Sequence, residues 1–171
     1  PISFDNICYF TLKNTNKVNV ICINSSDNNN TAITTLFNND TSLFNFKNTT
    51  VKNIDFNALK QQDIILINEV HEFSSGLINS LNNFTKNGRS IAIFPPKEID
   101  LANYNNSLKQ IVTAKFSAIK TKSILIEEIN TKHPIYKQVF EGELDKINFP
   151  EIKKYYPIIS QKNSNRVSLL T

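Results

Sequence analysis

Asp63-Ile64-Ile65-Leu66-Ile67-Asn68-Glu69-Val70-His71-Glu72-Phe73-Ser74-Ser75-Gly76-Leu77 is the stretch that decides the fold of this 171-residue chain. Ile64 to Ile67 are consecutive aliphatic residues with no polar face, so they suit a strand covered on both sides. A polar loop follows, and beyond it a helix is expected from about Ser75 to Asn87. Leu77, Leu81 and Phe84 recur on one stripe, Ser74 can cap the first amides, and Asn87-Gly88 supplies the left-handed residue that ends a helix.

The same alternation returns on either side. Val18 to Ile23 is a second apolar strand, ending at Asn24-Ser25-Ser26-Asp27. Thr31 to Asn39 carries Ala32, Ile33, Leu36 and Phe37 at helical spacing, with Asn30 or Thr31 as N-cap, and either Leu43 to Phe46 or Val51 to Phe56 should supply a further strand. Downstream, Ser90 to Phe94 is a third buried strand, stopped by Pro95-Pro96, which cannot donate ladder hydrogen bonds. Asp100 then caps a helix with Leu101, Tyr104, Leu108 and Ile111 on one face. Strand and helix in this order predict an α/β fold, a three-layer sandwich with a mainly parallel, flavodoxin-like sheet.

The last third is less regular. Phe116 to Lys120 and Ser123 to Ile129 read as strands joined by a Lys-rich turn, His133 to Phe140 as a short helix or turn, and Phe149 to Ile159 as extended chain. The expected division is an α/β domain over 18–160, the end of an upstream β-rich domain or a junction strand over 1–17, and the start of a following strand or a linker over 161–171. With no Met and an apolar run at its close, the chain is expected to be a segment of a longer protein. A hairpin around Lys13 to Lys17 would set Cys8 opposite Cys22, within disulfide reach; two buried thiols are the other reading of the pair.

Composition bounds the chemistry. Apolar residues are 40% and charged residues 20%, which excludes a disordered charged tail and a membrane-embedded protein. The 3 glycines, Gly76, Gly88 and Gly142, cannot build a glycine-rich phosphate cradle, so nucleotide cofactors are not expected, nor any other cofactor. The net charge of +4 comes mostly from lysine, and Lys109, Lys115, Lys120 and Lys122 read as a solvated face rather than a nucleic-acid interface. Roughly one residue in seven is Asn, a compositional bias rather than a signal for any site.

Open parallel sheets gather their working groups at the carboxyl ends of the strands. Here the chemically richest end holds Glu69, His71, Glu72, Ser74 and Ser75, beside a helix N-terminus where negative charge is favoured, and these five are the candidate ligand-binding residues. A Glu, His and Ser set could also perform acyl transfer, although nothing in the spacing fixes which group is base and which nucleophile. His71 and His133 are the only histidines and neither has a paired ligand spacing, so no metal site is expected.

Asp63 to Val70, the helix led by Ser75-Gly76-Leu77 and running to Gly88, and the strand Ser90 to Phe94 together resemble the core of the class I glutamine amidotransferase-like superfamily, including its trehalose-utilisation-type branch. Asn130 to Ile135 is similar to a His-Pro-Ile stretch of that branch. Phe4 to Phe10 and Tyr155-Tyr156 resemble the extracytoplasmic part of Bacteroidetes membrane proteins with a BatA-type aerotolerance-regulator membrane region. The resemblance implies a membrane-anchored parent, a place on the periplasmic side of the cell envelope, and partners that are proteins or other domains of the same chain, with membrane contact only through flanking segments.

The amidotransferases carry a nucleophilic cysteine in a glycine-flanked elbow after a core strand. In this chain Ile91 to Phe94 runs into Pro95-Pro96 with no Cys, Ser or Gly in the turn. No catalytic residue carries over. The expected function is a non-catalytic interaction or ligand-sensing domain, the alternative being a hydrolase-like enzyme using the Glu69, His71 and Ser74 cluster.

Overall fold

The computed structural model describes residues 17–26, 31–136, 149–159 and 167–170. The chain forms two compact units, one ending at Lys97 and one beginning at Glu98. In the first, β1 (Val18–Asn24), α1 (Thr31–Asn38), β2 (Phe44–Thr50), α2 (Phe56–Leu59), β3 (Ile64–Asn68), α3 (Ser75–Lys86) and β4 (Ser90–Phe94) follow one another. The four strands form one all-parallel sheet in the order β2-β1-β3-β4. This is an α/β, flavodoxin-like arrangement, with the sheet between helical layers.

Sequence explains which strands lie where. β1 and β3 are the apolar runs, and they take the two central positions, where both edges are hydrogen-bonded and Val20, Ile21, Cys22, Ile23, Ile65, Leu66 and Ile67 are buried. β2 is an edge strand in which Phe44 and Phe46 are half-buried while Asn45 and Lys47 are exposed, so only one of its faces is covered. That face meets α1: the Phe37 ring stacks on Phe46 and meets Phe44 edge-on, and Ile33 joins Phe37 against Val20, Cys22 and Leu66. The chain enters β2 through Asp40, whose carboxylate accepts from the Ser42 hydroxyl and from the amides of Ser42 and Leu43. The Ser42 bond in particular holds that carboxyl below its ordinary value.

From β1 the chain steps to β2 in one direction along the sheet, and from β3 to β4 in the other. Right-handed crossovers therefore require α1 on one face and α3 on the opposite one. The packing agrees, since Ile33 and Phe37 of α1 pack on the face of Val20, Cys22 and Leu66, a cluster to which no residue of α3 belongs, whereas α3 packs with α2 and β4. α3 is built as its sequence predicts. Ser74 Oγ accepts from the Leu77 amide, Leu77, Ile78, Leu81 and Phe84 are buried, and Gly88 takes φ 75° past the C-cap Asn87.

In the second unit, α4 (Leu101–Leu108) starts at Asp100, which accepts from the amides of Ala102 and Asn103, and it buries Tyr104 and Leu108. Beyond it the expected strands differ from the observed ones. Phe116 to Lys120 and Ser123 to Ile129 do not form two strands joined by a turn. Only β5 (Lys115–Phe116) is regular, and it pairs antiparallel with β6 (Ile158–Ile159) in a separate sheet. Single bridges continue the same ladder at Lys120 with Tyr155 and Ile124 with Ile152. His133 to Tyr136 contains a 3-10 turn at Pro134–Tyr136. Of the expected cysteine hairpin, Cys8 lies outside the described residues; Cys22 is buried in a strand whose two edges are taken by β2 and β3.

Candidate functional site

The sheet order reverses direction between β1 and β3, so their carboxyl ends form the switch point where a parallel sheet opens a crevice for a ligand. Register places Asn24 directly beside Asn68, and both are buried, 4% and 6% exposed. Asn68 Nδ2 donates to Asn24 Oδ1 at 2.9 Å, and the Cys22 thiol donates to the same oxygen at 3.5 Å. Asn24 Nδ2 in turn donates to Asn48 Oδ1 at 3.4 Å and to the Thr49 carbonyl at 3.3 Å. An amide side chain has two donors and two acceptor sites. All four are used, so the switch point is filled by a saturated polar plug.

The backbone closes over the plug. Ser25 N donates to the Asn68 carbonyl, Val51 N to the Asn24 carbonyl, and Glu69 N to the Phe94 carbonyl at 2.9 Å. Glu69 has φ 51°, the only non-glycine residue in the left-handed region among the described residues. Such a backbone costs a non-glycine residue about 1–2 kcal/mol, and here it turns the chain off β3 toward the loop before α3.

The five predicted site residues follow in that loop without forming one constellation. Glu69 is half-buried, while His71, Glu72, Ser74 and Ser75 are exposed. Ser74 Oγ serves as the N-cap of α3, accepting from Leu77 N at 3.2 Å. His71 Nδ1 lies 3.5 Å from the hydroxyl of Ser25, on the loop after β1, rather than from Ser74. The imidazole and the serine that the sequence reading coupled are thus held by different partners. Among the described residues, no group of three or more His, Cys, Asp or Glu side chains could hold a metal ion.

Asn24, Asn48 and Asn68 belong to no sequence motif. Their one signal is positional: Asn24 and Asn68 each end an apolar strand, and adjacent parallel strands bring such residues together. The Ser25 and His71 contact carries the same signal.

No protein-family model matches the chain, and no solved structure matches it. Protein TIC 214 of Glycine max is 32% identical over an alignment of 117 residues, which covers 61% of this chain and 6% of that protein. The likeness covers too small a part of that protein to assign the chain to its family.

Proposed function

We propose that the chain is a non-catalytic α/β interaction or ligand-sensing domain of a larger membrane-anchored protein, placed on the extracytoplasmic side. The observation that weighs against turnover is the saturated Asn24 amide. It fills the place where a parallel sheet houses its chemistry, while Ser74, the serine of the candidate cluster, is engaged as a helix cap. Membrane anchoring is supported by the resemblance of Phe4 to Phe10 and Tyr155-Tyr156 described above. No helix among the described residues is long and apolar enough to cross a membrane, so flanking chain would supply the anchor.

The test is turnover of a panel of esters, amides and glycosides by the protein and by His71→Ala, together with labelling by a fluorophosphonate. No turnover that depends on His71 and no labelling of Ser25 or Ser74 are expected. Hydrolysis that disappears in His71→Ala would overturn the proposal in favour of the hydrolase.

A further inference from the structure

Lys60 at the end of α2, Lys86 in the last turn of α3 and Arg89 just beyond it line a groove of about 490 Å3, and no carboxylate lines it. Helix C-termini attract cations, which explains part of this clustering. Each C-terminus carries about half a negative charge at most, so the ends of α2 and α3 offset roughly one of the three positive charges. The rest faces the groove.

Arg89 is held in place. One of its terminal nitrogens, Nη1, donates to the Lys60 carbonyl and, at 2.7 Å, to the Gln62 carbonyl, and the guanidinium lies 5.5 Å from the centre of the Phe84 ring. A cation fixed in this way loses little side-chain entropy when an anion arrives.

Ser80, Asn83 and Asn87 add hydrogen-bonding groups along one stripe of α3 and its C-cap. Seven residues of helix rise about 10 Å, the span of about three residues of extended peptide. Phe56, 40% exposed, forms an apolar wall, its ring leaning over α3 where a Cβ on Gly76 would lie 3.4 Å away.

We propose that this groove docks an extended acidic segment of a partner protein, with its carboxylates on Lys60, Lys86 and Arg89 and an apolar side chain against Phe56. Charge complementarity and the apolar wall together select this occupant. A nucleic acid strand suits the groove less well, because Phe84 is 5% exposed and faces Arg89, leaving no row of open rings on which successive bases could stack. The inference rests on the binding role proposed above and specifies its partner.

The test is fluorescence anisotropy with a fluorescein-labelled peptide carrying one phenylalanine flanked on each side by three glutamates. The protein should bind it, and Lys60→Glu with Lys86→Glu should weaken binding about tenfold or more, as reversal of two surface charges allows. Phe56→Ala should weaken it severalfold, while Lys52→Glu, on an exposed residue outside the groove, should change it little. Thermal melting of each variant confirms that it is folded. Absence of binding, or equal weakening by Lys52→Glu, overturns the groove proposal, as does tighter binding of a twelve-nucleotide oligothymidine with the same sensitivity to Lys60 and Lys86. None of these results touches the non-catalytic reading, which stands or falls on the His71→Ala turnover panel.

Discussion

Glu69 occupies the left-handed backbone region at φ 51°, where a Cβ is unfavourable and glycine is at ease. Comparison of Glu69→Gly with Glu69→Ala isolates this backbone effect, because both remove the same carboxylate. Urea unfolding should find the glycine variant more stable than the alanine variant by about 1 kcal/mol; equal stabilities would show that the strain is relieved elsewhere. Tyr104 makes the second prediction at this scale. It is 2% exposed, its ring meets Phe116 edge-on at 5.7 Å, and burial, with Tyr156 adding to the effect, pushes its phenol up from 10.0 to about 12. In the unfolded chain a tyrosine ionises near pH 10. Between about pH 10 and 12 the unfolded chain therefore releases a proton that the native state keeps, so this contribution is full below pH 10 and is lost as pH rises through 12. Urea midpoints measured up that range should fall less steeply in Tyr104→Phe than in the parent. An unchanged slope would assign the alkaline loss to other groups.

At the scale of elements, local patterns were legible wherever the signal is itself local. The aliphatic runs of β1 and β3 announced strands covered on both faces, and both strands are central; Ser90 to Phe94 gave the same signal, but β4 lies at the sheet edge with Phe94 exposed, because no further strand among the described residues covers it. The cap at Ser74, the stripe through Leu77, Leu81 and Phe84, and the left-handed Gly88 are contacts within a few residues of one another, so spacing alone located α3. Ile124-Leu125-Ile126 gave the same kind of signal and it misled, since Leu125 is 65% exposed. An apolar run becomes a buried strand only if another layer covers it and a neighbour completes its ladder. Here Ile124 pairs with Ile152, as Lys120 does with Tyr155 and Phe116 with Ile158, each about thirty or more residues away, and no local pattern specifies a register over that distance. The functional end of the sheet was half legible for a related reason. Glu69, His71 and Ser74 stood out because an acid, an imidazole and a hydroxyl fall within six residues and the chain has only 2 histidines, whereas Asn24, Asn48 and Asn68 were three among many asparagines. Only the register between β1 and β3 shows that two of them meet.

For the molecule as a whole, the two units differ in how their backbone hydrogen bonds are protected. In the first, the amides of Val20 to Ile23 and Ile65 to Ile67 belong to strands paired on both edges and covered by apolar side chains, so water reaches them only when the sheet itself opens. In the second, the long-range pairing is a thin ladder, held by bonds such as Ser117 N to the Pro157 carbonyl and the reciprocal pair between Lys120 and Tyr155, with Ile158 and Ile159 exposed. Opening that ladder uncovers little apolar surface, and burial of such surface stabilises by only about 25 cal/mol per Å2. Native-state hydrogen exchange should therefore rank the central amides of β1 and β3 slowest, with the amides of Ser117, Lys120 and Tyr155 exchanging orders of magnitude faster through local opening. Added urea sharpens the comparison. The β1 and β3 amides should respond with the full denaturant dependence of global unfolding, because exposing them requires the whole sheet to separate, whereas the ladder amides should respond weakly. Equal protection and equal urea dependence in the two ladders would refute this ranking, because the thin ladder would then open only together with the sheet.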